Sequence, residues 1–253
     1  MKKVVCMLAL LAVNGFTWAD GWISGEVSTA SGNSGVVMLQ QQAERSDMNA
    51  QFTLGVAYEH GLGVERNAAL ARKWYEAASL QGHIVAPYHL GLMYYQPESG
   101  RPDYVRARQW FEKAAAQGHA GAQNKLGVMY YEGQGVRQDH EQARRWFEKA
   151  AAQGSAAAQI VLAGMHYEGQ GVPQDYGQAR AWYEKAAAQD DAAAQHNLGA
   201  LYDQGQGVAQ DYAQARAWYE KAAAQGNTGA QFNLGLLYDE GKGVTQDYTQ
   251  AAA

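Results

Sequence analysis

The chain has 253 residues, with 20 Lys and Arg against 25 Asp and Glu, which gives a formal net charge of −5 at pH 7. It contains no basic block, so the composition argues against nucleic acid and anionic membrane surfaces as partners. The only cysteine, Cys6, lies in a segment that we expect to be removed, so the mature chain can form no disulfide and no cysteine-ligated metal site.

The first 19 residues have the layout of a secretory signal peptide. Two lysines precede an apolar run at Val4–Val13, and Thr17 and Ala19 occupy the positions that a signal peptidase reads. A buried core helix is the alternative, whereas a membrane anchor is disfavoured because a span needs about 20 apolar residues. We therefore predict a signal peptide at residues 1–19, cleavage between Ala19 and Asp20, and a periplasmic or secreted destination.

The segment after the predicted cleavage site is rich in Gly and Ser. Residues 20–35 contain only Trp22 and Ile23 as sizeable apolar side chains, so we predict a flexible segment. Residues 36–45 then follow in the register of a second repeat helix. We predict that this stretch is a capping half-repeat helix that covers the first core layer.

A period of 36 residues organises the rest of the chain. Similar blocks open at Ala50, Ala86, Ala122, Ala158, Ala194 and Ala230. Five complete repeats span residues 50–229 and a truncated sixth spans 230–253, so the period covers 204 of the 253 residues. A fixed period in this range is the signature of a solenoid, in which each unit packs on its neighbours. The next tryptophan of the pattern is due at position 254, and the sequence leaves open whether the C-terminus is natural or cut.

Each repeat contains two predicted helices. In the third repeat, Ala122, Leu126 and Tyr130 are spaced for one face of the first helix. Beside Leu126, Gly127 leaves room for a neighbouring helix to approach closely. We expect this helix to end at Gly133, since glycine readily takes the left-handed geometry needed after a helix C-terminus.

The second helix begins after Asp139, whose spacing from Gln142 is that of a capping box. The same Asp-x-x-Gln pair recurs at Asp175, Asp211 and Asp247. Within the helix, Ala143, Trp146 and Phe147 lie on one apolar face. Small alanines beside a large aromatic ring predict a knob seated in a gap between helices, and we expect the Trp146 ring to be buried there.

The repeated motifs resemble a known family. The order Ala-x-x-x-Leu-Gly-x-x-Tyr, Gly-x-Gly-Val-x-x-Asp and Ala-Arg-x-Trp-(Tyr/Phe)-Glu-Lys-Ala-Ala is similar to the Sel-one-like repeat (SLR) family, a relative of tetratricopeptide repeats. The resemblance covers residues 50–253. It implies an all-α fold, a right-handed α-solenoid (superhelix) of antiparallel helix pairs, whose concave helix face binds a partner protein or peptide.

Two columns of side chains lie opposite the repeated face of the first helix. Stacked repeats would align the third and tenth positions of each repeat, and a surface rich in Tyr and Phe has the composition of an interface core. The candidate partner-binding residues are Phe52, Tyr88, Tyr95, Asn124, Tyr131, Ile160, Tyr167, His196, Asp203, Phe232 and Asp239. The alternative is that some of these side chains pack between repeats, and the residues alone leave that open.

The sequence carries no motif for catalysis, metal binding or cofactor binding. Its seven histidines lack a metal-ligand spacing, and only His83 and His119 share a repeat position. Arg144 and Glu148, with their equivalents in other repeats, are spaced for an exposed helix ion pair. We therefore predict an exported, non-enzymatic monomer without cofactor, an adaptor for an envelope or host-cell protein, with no membrane span after cleavage.

Two other functions stay open at this point. Cysteine-rich secreted relatives of the resembling family are proposed to have weak hydrolase or penicillin-binding activity, but they carry paired cysteines in each repeat, which this chain lacks. The second alternative is a rigid structural spacer that binds polysaccharide or assembles parts of the envelope.

Overall fold

The computed structural model describes residues 33–98 and 100–251, and every helix or strand assigned within them is an α-helix. The helices are α1 (Asn33–Glu44), α2 (Met48–His60), α3 (Ala68–Leu80), α4 (Ala86–Tyr95), α5 (Tyr104–Ala116), α6 (Ala120–Glu132), α7 (His140–Ala152), α8 (Ala156–Glu168), α9 (Tyr176–Ala187), α10 (Ala192–Gln204), α11 (Tyr212–Ala224), α12 (Thr228–Glu240) and α13 (Tyr248–Ala251). Helix pairs recur with the 36-residue period, so the predicted all-α solenoid is confirmed. The predicted signal peptide and most of the predicted flexible segment lie outside the described residues. Within the described ranges, no helix combines the length and hydropathy that a bilayer span requires.

The chain divides into two compact units, with the boundary inside the third repeat. The N-terminal unit, residues 33–138, holds α1 to α6, and the C-terminal unit, residues 139–251, holds α7 to α13. Within each unit, every helix packs against the next helix in sequence. This packing is that of a solenoid, since each helix pair buries its apolar face against adjacent pairs.

First helices end at the predicted glycines. The C-cap residues Gly61, Gly133, Gly169, Gly205 and Gly241 have φ between 66° and 74°. This left-handed geometry suits glycine and stops the helix. The second repeat is the exception, because Gln96 takes that position with φ −134° and a proline-containing loop follows.

Second helices begin at the predicted aspartates. In Asp139, Asp175 and Asp211, the carboxylate accepts the amide N–H three residues on at 3.0 Å, and in Asp247 at 3.2 Å. The backbone N–H of Asp175 donates to the His166 carbonyl at 2.9 Å, so it is not left for the reciprocal bond of a capping box. The N–H groups of Asp211 and Asp247 likewise donate to first-helix carbonyls, so these aspartates are N-caps that also hold the two helices of a repeat together.

Replacing Asp175 by alanine should lower the free energy of unfolding by about 1 kcal/mol, because a first-turn N–H of α9 loses its acceptor. Urea unfolding followed by circular dichroism measures this loss. Asp175→Asn is the matched control, since asparagine caps helices about as well as aspartate and should keep most of the stability. An alanine variant as stable as the unsubstituted chain would show that the cap contributes nothing.

A fully buried aromatic ring follows the tryptophan of each complete repeat. Tyr75, Phe111, Phe147, Tyr183 and Tyr219 are 0–1% exposed. The Phe111 ring lies over Gly91, where an added Cβ would come within 2.4 Å of the ring, and Tyr219 lies over Gly199 with the corresponding distance 2.7 Å. Two of the glycines equivalent to Gly127 thus show the close approach predicted there, and the ring that fills the gap is the one after the tryptophan.

The expectation that Trp146 fills this gap is wrong. Trp146 is half-buried, and the Nζ atom of Lys149 lies 4.2 Å from the centroid of its ring. Successive residues of a helix point about 100° apart, so two adjacent rings cannot both face the core. Phe147 takes the buried direction, and Trp146 lies at the rim under a lysine.

The second glycine of the Gly-x-Gly loop contacts the preceding repeat. Gly207 has φ +69°, and an added Cβ would lie 2.5 Å from backbone atoms of Tyr176, the first residue of α9. Gly243 lies in the same way against the backbone of Tyr212, with a distance of 2.8 Å. These loops join successive repeats through direct backbone contact. The sequence predicts only that their glycines end the first helix.

Candidate functional site

The third-position side chains of the first helices differ widely in exposure. Phe52, Asn124 and Ile160 are buried, Tyr88 and His196 are half-buried, and Phe232 is 66% exposed. The Phe52 ring stacks on the ring of His83, just before α4, with 4.2 Å between centroids. It also lies 5.5 Å from the ring of His89 on α4. The third position of the first repeat therefore packs at the joint with the next repeat.

The tenth-position tyrosines link successive repeats. The hydroxyl of Tyr95, which is 8% exposed, donates to Oε1 of Gln134 at 2.6 Å, and burial raises the pKa of Tyr95 to about 12. In the C-terminal unit, the Tyr167 side chain is hydrogen-bonded to the Gln206 side chain. Both glutamines are the middle residue of a Gly-Gln-Gly loop, so the tyrosines fix the loop of the next repeat. Of the other predicted tenth-position residues, Tyr131 and Asp203 are half-buried and Asp239 is exposed.

In the first repeat, the tenth position is Glu59, which lies between two donors. The Tyr75 hydroxyl donates to Oε2 of Glu59 at 2.5 Å, and Nδ1 of His89 lies 3.4 Å from the same oxygen. Burial raises the pKa of Glu59, but the hydrogen bond and charge of His89 and the bond from Tyr75 outweigh it, so the pKa lies below its usual value. The cluster holds the carboxylate ionised at the joint of two repeats.

A related arrangement recurs four repeats later, at Asp203, Tyr219 and Asn233. Burial raises the pKa of Asp203, although Lys242 and Tyr219 oppose the rise. Nδ2 of Asn233 lies 3.1 Å from Nε2 of His196. Both clusters combine an acidic residue at the tenth position of the repeat with the tyrosine that directly follows the tryptophan of the same repeat. Comparing the repeats with one another could have found this pairing from the sequence.

The tyrosine of each cluster is shielded from solvent, whereas Glu59 and Asp203 are half-buried. Tyr75 and Tyr219 are fully buried, so their hydroxyls do not face solvent. Among residues 33–98 and 100–251, no group of three or more His, Cys, Asp or Glu side chains is placed to hold a metal ion. Both clusters link side chains of two adjacent repeats, and so they help to hold the repeats together.

Buried glutamines form a ladder that sequence reasoning missed. In the C-terminal unit, Nε2 of Gln159 donates to the Ala151 carbonyl at 3.3 Å, and Nε2 of Gln189 donates to Oε1 of Gln159 at 2.9 Å. The equivalent bonds in the N-terminal unit join Gln51 to the Ala43 carbonyl at 3.0 Å and Gln81 to Gln51 at 2.7 Å. The signal in the sequence is a glutamine at the second position of the repeat, directly after the opening alanine, which recurs in five of the six repeats.

Helix α12 has an exposed apolar and acidic face. Phe232 is 66% exposed, Leu236 is 41% exposed, and Asp239 is exposed as well. The three residues are spaced by four and three positions, so they lie on one side of the helix. At the first two of these positions in the first repeat, Phe52 and Val56 are buried.

A comparison with known families identifies the repeats. A family model described as Sel1 repeat matches residues 49–83, 85–119, 120–155, 156–191, 192–227 and 228–253. The chain belongs to the Sel1-repeat family. The matches begin within two residues of the repeat starts that the 36-residue period predicts, and the predicted resemblance is confirmed.

Other Sel1-repeat proteins are similar over most of this chain. It is 40% identical to c5321, a protective antigen present in uropathogenic Escherichia coli strains, over 85% of this chain and 46% of that chain, with a TM-score of 0.82. It is 31% identical to a Sel1 repeat protein from Oxalobacter formigenes, over 87% of this chain and 88% of that chain, with a TM-score of 0.76. A sel1-like repeat-containing protein of Acanthamoeba polyphaga mimivirus is 40% identical over 58 residues, 23% of this chain and 11% of the viral protein. The Sel1-repeat chain thus spans less than half the length of c5321 and about a tenth of the viral protein.

Proposed function

We propose that this Sel1-repeat chain is an exported, non-enzymatic scaffold that binds a partner protein through the first-helix face of its C-terminal unit. The observation that carries the proposal is the exposed face of α12, where Phe232, Leu236 and Asp239 lie together. An exposed aromatic ring with an apolar neighbour and a charged margin has the composition of an interface core and its rim.

Charge indicates the chemistry of the partner. Residues 139–251 contain 14 Asp and Glu against 8 Lys and Arg, a net charge of −6, whereas residues 33–138 contain 9 against 10, a net charge of +1. Asp203 and Asp239 are two of these acids on first helices. The partner is a segment with Lys or Arg beside one large apolar side chain, since opposite charges orient two surfaces and speed their encounter.

The proposed surface contains some, but not all, of the partner-binding residues predicted from the sequence. In the C-terminal unit it comprises Tyr167, His196, Asp203, Phe232 and Asp239, which are exposed or half-buried. Tyr88 and Tyr131 form the corresponding, smaller surface of the N-terminal unit. Phe52, Tyr95, Asn124 and Ile160 are buried, and in this proposal they support the repeats without touching a partner.

Export is part of the proposal. It is supported by the apolar run behind two lysines at the start of the sequence and by the similarity to c5321, which is described as a protective antigen. The mature scaffold acts in the periplasm or after secretion.

A peptide-display selection against the mature chain, residues 20–253, tests the proposal. We expect selected peptides to be enriched in Lys or Arg beside a large apolar residue, and Phe232→Ser and Asp239→Asn each to weaken their binding at least about tenfold, a loss typical of an anchor residue. Neither change should alter thermal unfolding, because both side chains are exposed. Leu80→Ser, an exposed apolar site on α3, is the control and should bind as well as the unsubstituted chain. Peptides without basic residues, or equal binding by all four proteins, would refute the proposed surface.

A further inference from the structure

The side chain at one position accepts a first-turn N–H of the first helix in every repeat, and its residue type varies along the chain. The six residues, 36 positions apart, are Asp47, His83, His119, Ser155, Asp191 and Asn227. Each side chain accepts the N–H of the alanine three residues on, at distances of 2.8 to 3.3 Å. Both histidines lie in the N-terminal unit, ahead of α4 and α6.

A histidine can serve as this cap in only one protonation state. The accepting atom is Nδ1, at 3.0 Å from the Ala86 nitrogen in His83 and at 3.1 Å from the Ala122 nitrogen in His119. Nδ1 accepts only in the neutral imidazole, because both nitrogens are donors once the ring is protonated. Protonation would also add a positive charge at the N-terminus of a helix, where the helix dipole disfavours it. The serine and asparagine caps of the C-terminal unit have no such dependence.

The same two rings form the joints between neighbouring repeats. The His83 ring stacks on Phe52 of α2 with 4.2 Å between centroids, and the His119 ring stacks on Tyr88 of α4 with 4.4 Å. Loss of the cap therefore acts on the contact that joins one repeat to the next. His83 and His119 are the only two of the seven histidines that share a repeat position, and neither belongs to the proposed partner-binding surface.

The titratable group that faces both the His83 and the His119 ring is His89 on α4. The carboxylate of Glu59 on α2 in turn contacts His89 and accepts a hydrogen bond from the Tyr75 hydroxyl on α3. Burial, with a contribution from the neighbouring His89, lowers the pKa of His119 to about 4. Burial likewise lowers the pKa of His83, again with a contribution from His89. In both cases the folded pKa lies below the value of about 6.5 for an unfolded histidine, so the stabilisation is complete above that pH and is lost as the pH falls toward the folded pKa.

From the two histidine caps and their stacked joints, we infer that the N-terminal unit is an acid-sensitive part of the solenoid. Mild acid loosens α4 and α6 at their joints, while α8 and α12 keep their serine and asparagine caps. The histidine caps thus build a pH-dependent step into the joints of the first three repeats.

Hydrogen exchange resolved by peptide tests this inference in the whole chain, with labelling times corrected for the intrinsic effect of pH on exchange. Between pH 7 and pH 5, the opening equilibrium of α6 should rise roughly 20-fold, the linkage expected for a single histidine that shifts from about 6.5 to about 4. Helix α4 should change in the same direction.

The matched variants come from the chain itself, because Asn227 fills the same position ahead of the first helix of the sixth repeat. In the double variant His83→Asn and His119→Asn, the acid-induced loss at α4 and α6 should disappear. A loss at α4 and α6 that survives in this variant would overturn the inference. If the double variant does not fold, an NMR titration of the unsubstituted chain decides instead, since a His119 pKa at or above 6.5 would overturn the inference and a value well below would support it.

Discussion

Replacing Phe111 by alanine should lower the free energy of unfolding by about 3 to 5 kcal/mol, the range for deleting a buried aromatic side chain. The Phe111 ring is fully buried and lies over Gly91, where an added Cβ would come within 2.4 Å of it. Its removal leaves a cavity between α5 and α4 that the close backbone contact cannot fill by collapse. Urea unfolding of the purified chain, followed by circular dichroism, measures the change.

Trp110→Ala is the control for this experiment. Trp110 is larger than its neighbour Phe111, but it is half-buried and has Lys113 over its ring. We expect a loss of about 1 to 2 kcal/mol, because part of the ring is already in contact with solvent. A larger loss at Trp110 than at Phe111 would contradict the assignment of the buried ring to the residue after the tryptophan.

Replacing Gly207 by alanine should be the most damaging of the glycine substitutions in the C-terminal unit. The residue has φ +69°, which costs an alanine roughly 1 to 2 kcal/mol by itself. The new Cβ would also lie 2.5 Å from backbone atoms of Tyr176, and backbone cannot move aside as a flexible side chain can. Overpacking of this kind adds about 1 to 3 kcal/mol, so we expect a total loss of about 2 to 5 kcal/mol and a lower thermal midpoint.

The variant Gly226→Ala separates the conformational cost of a positive φ from the cost of overpacking. Gly226 has φ +82°, but no atom lies within 4 Å of the place where its Cβ would be. This variant should show the conformational cost alone, roughly 1 to 2 kcal/mol. If both variants lose the same stability, the contact between the glycine loop and the preceding repeat does not contribute.

The repeat pattern predicted local structure well because helix stops and caps depend on neighbouring residues. Gly133 ends α6 in the left-handed conformation that its position requires, and Asp139 caps α7 with the spacing that the sequence shows. Both features act over three or four residues along one helix, so the spacing in the sequence contains the information. The helix pairs and their 36-residue period followed for the same reason.

Contacts between repeats were harder to predict. Helical spacing shows that Phe52 and Ile160 lie on one face, but not whether that face meets solvent or the next repeat. Both meet the core, whereas Phe232 at the same position is exposed. The error about Trp146 has the same origin, because two adjacent aromatic residues fit an apolar stripe equally well in the sequence. Only the packing of the two helices decides that Phe147 is the buried one.

A footprint of a selected basic peptide tests most directly whether the first-helix face of the C-terminal unit binds a partner, as we propose. Hydrogen exchange of the mature chain with and without saturating peptide would map the protected helices. We expect added protection in α12 and α10, whose first-helix positions include Phe232, Asp239 and Asp203. Protection confined to the second helices α7, α9 and α11, with α12 unchanged, would contradict the claim.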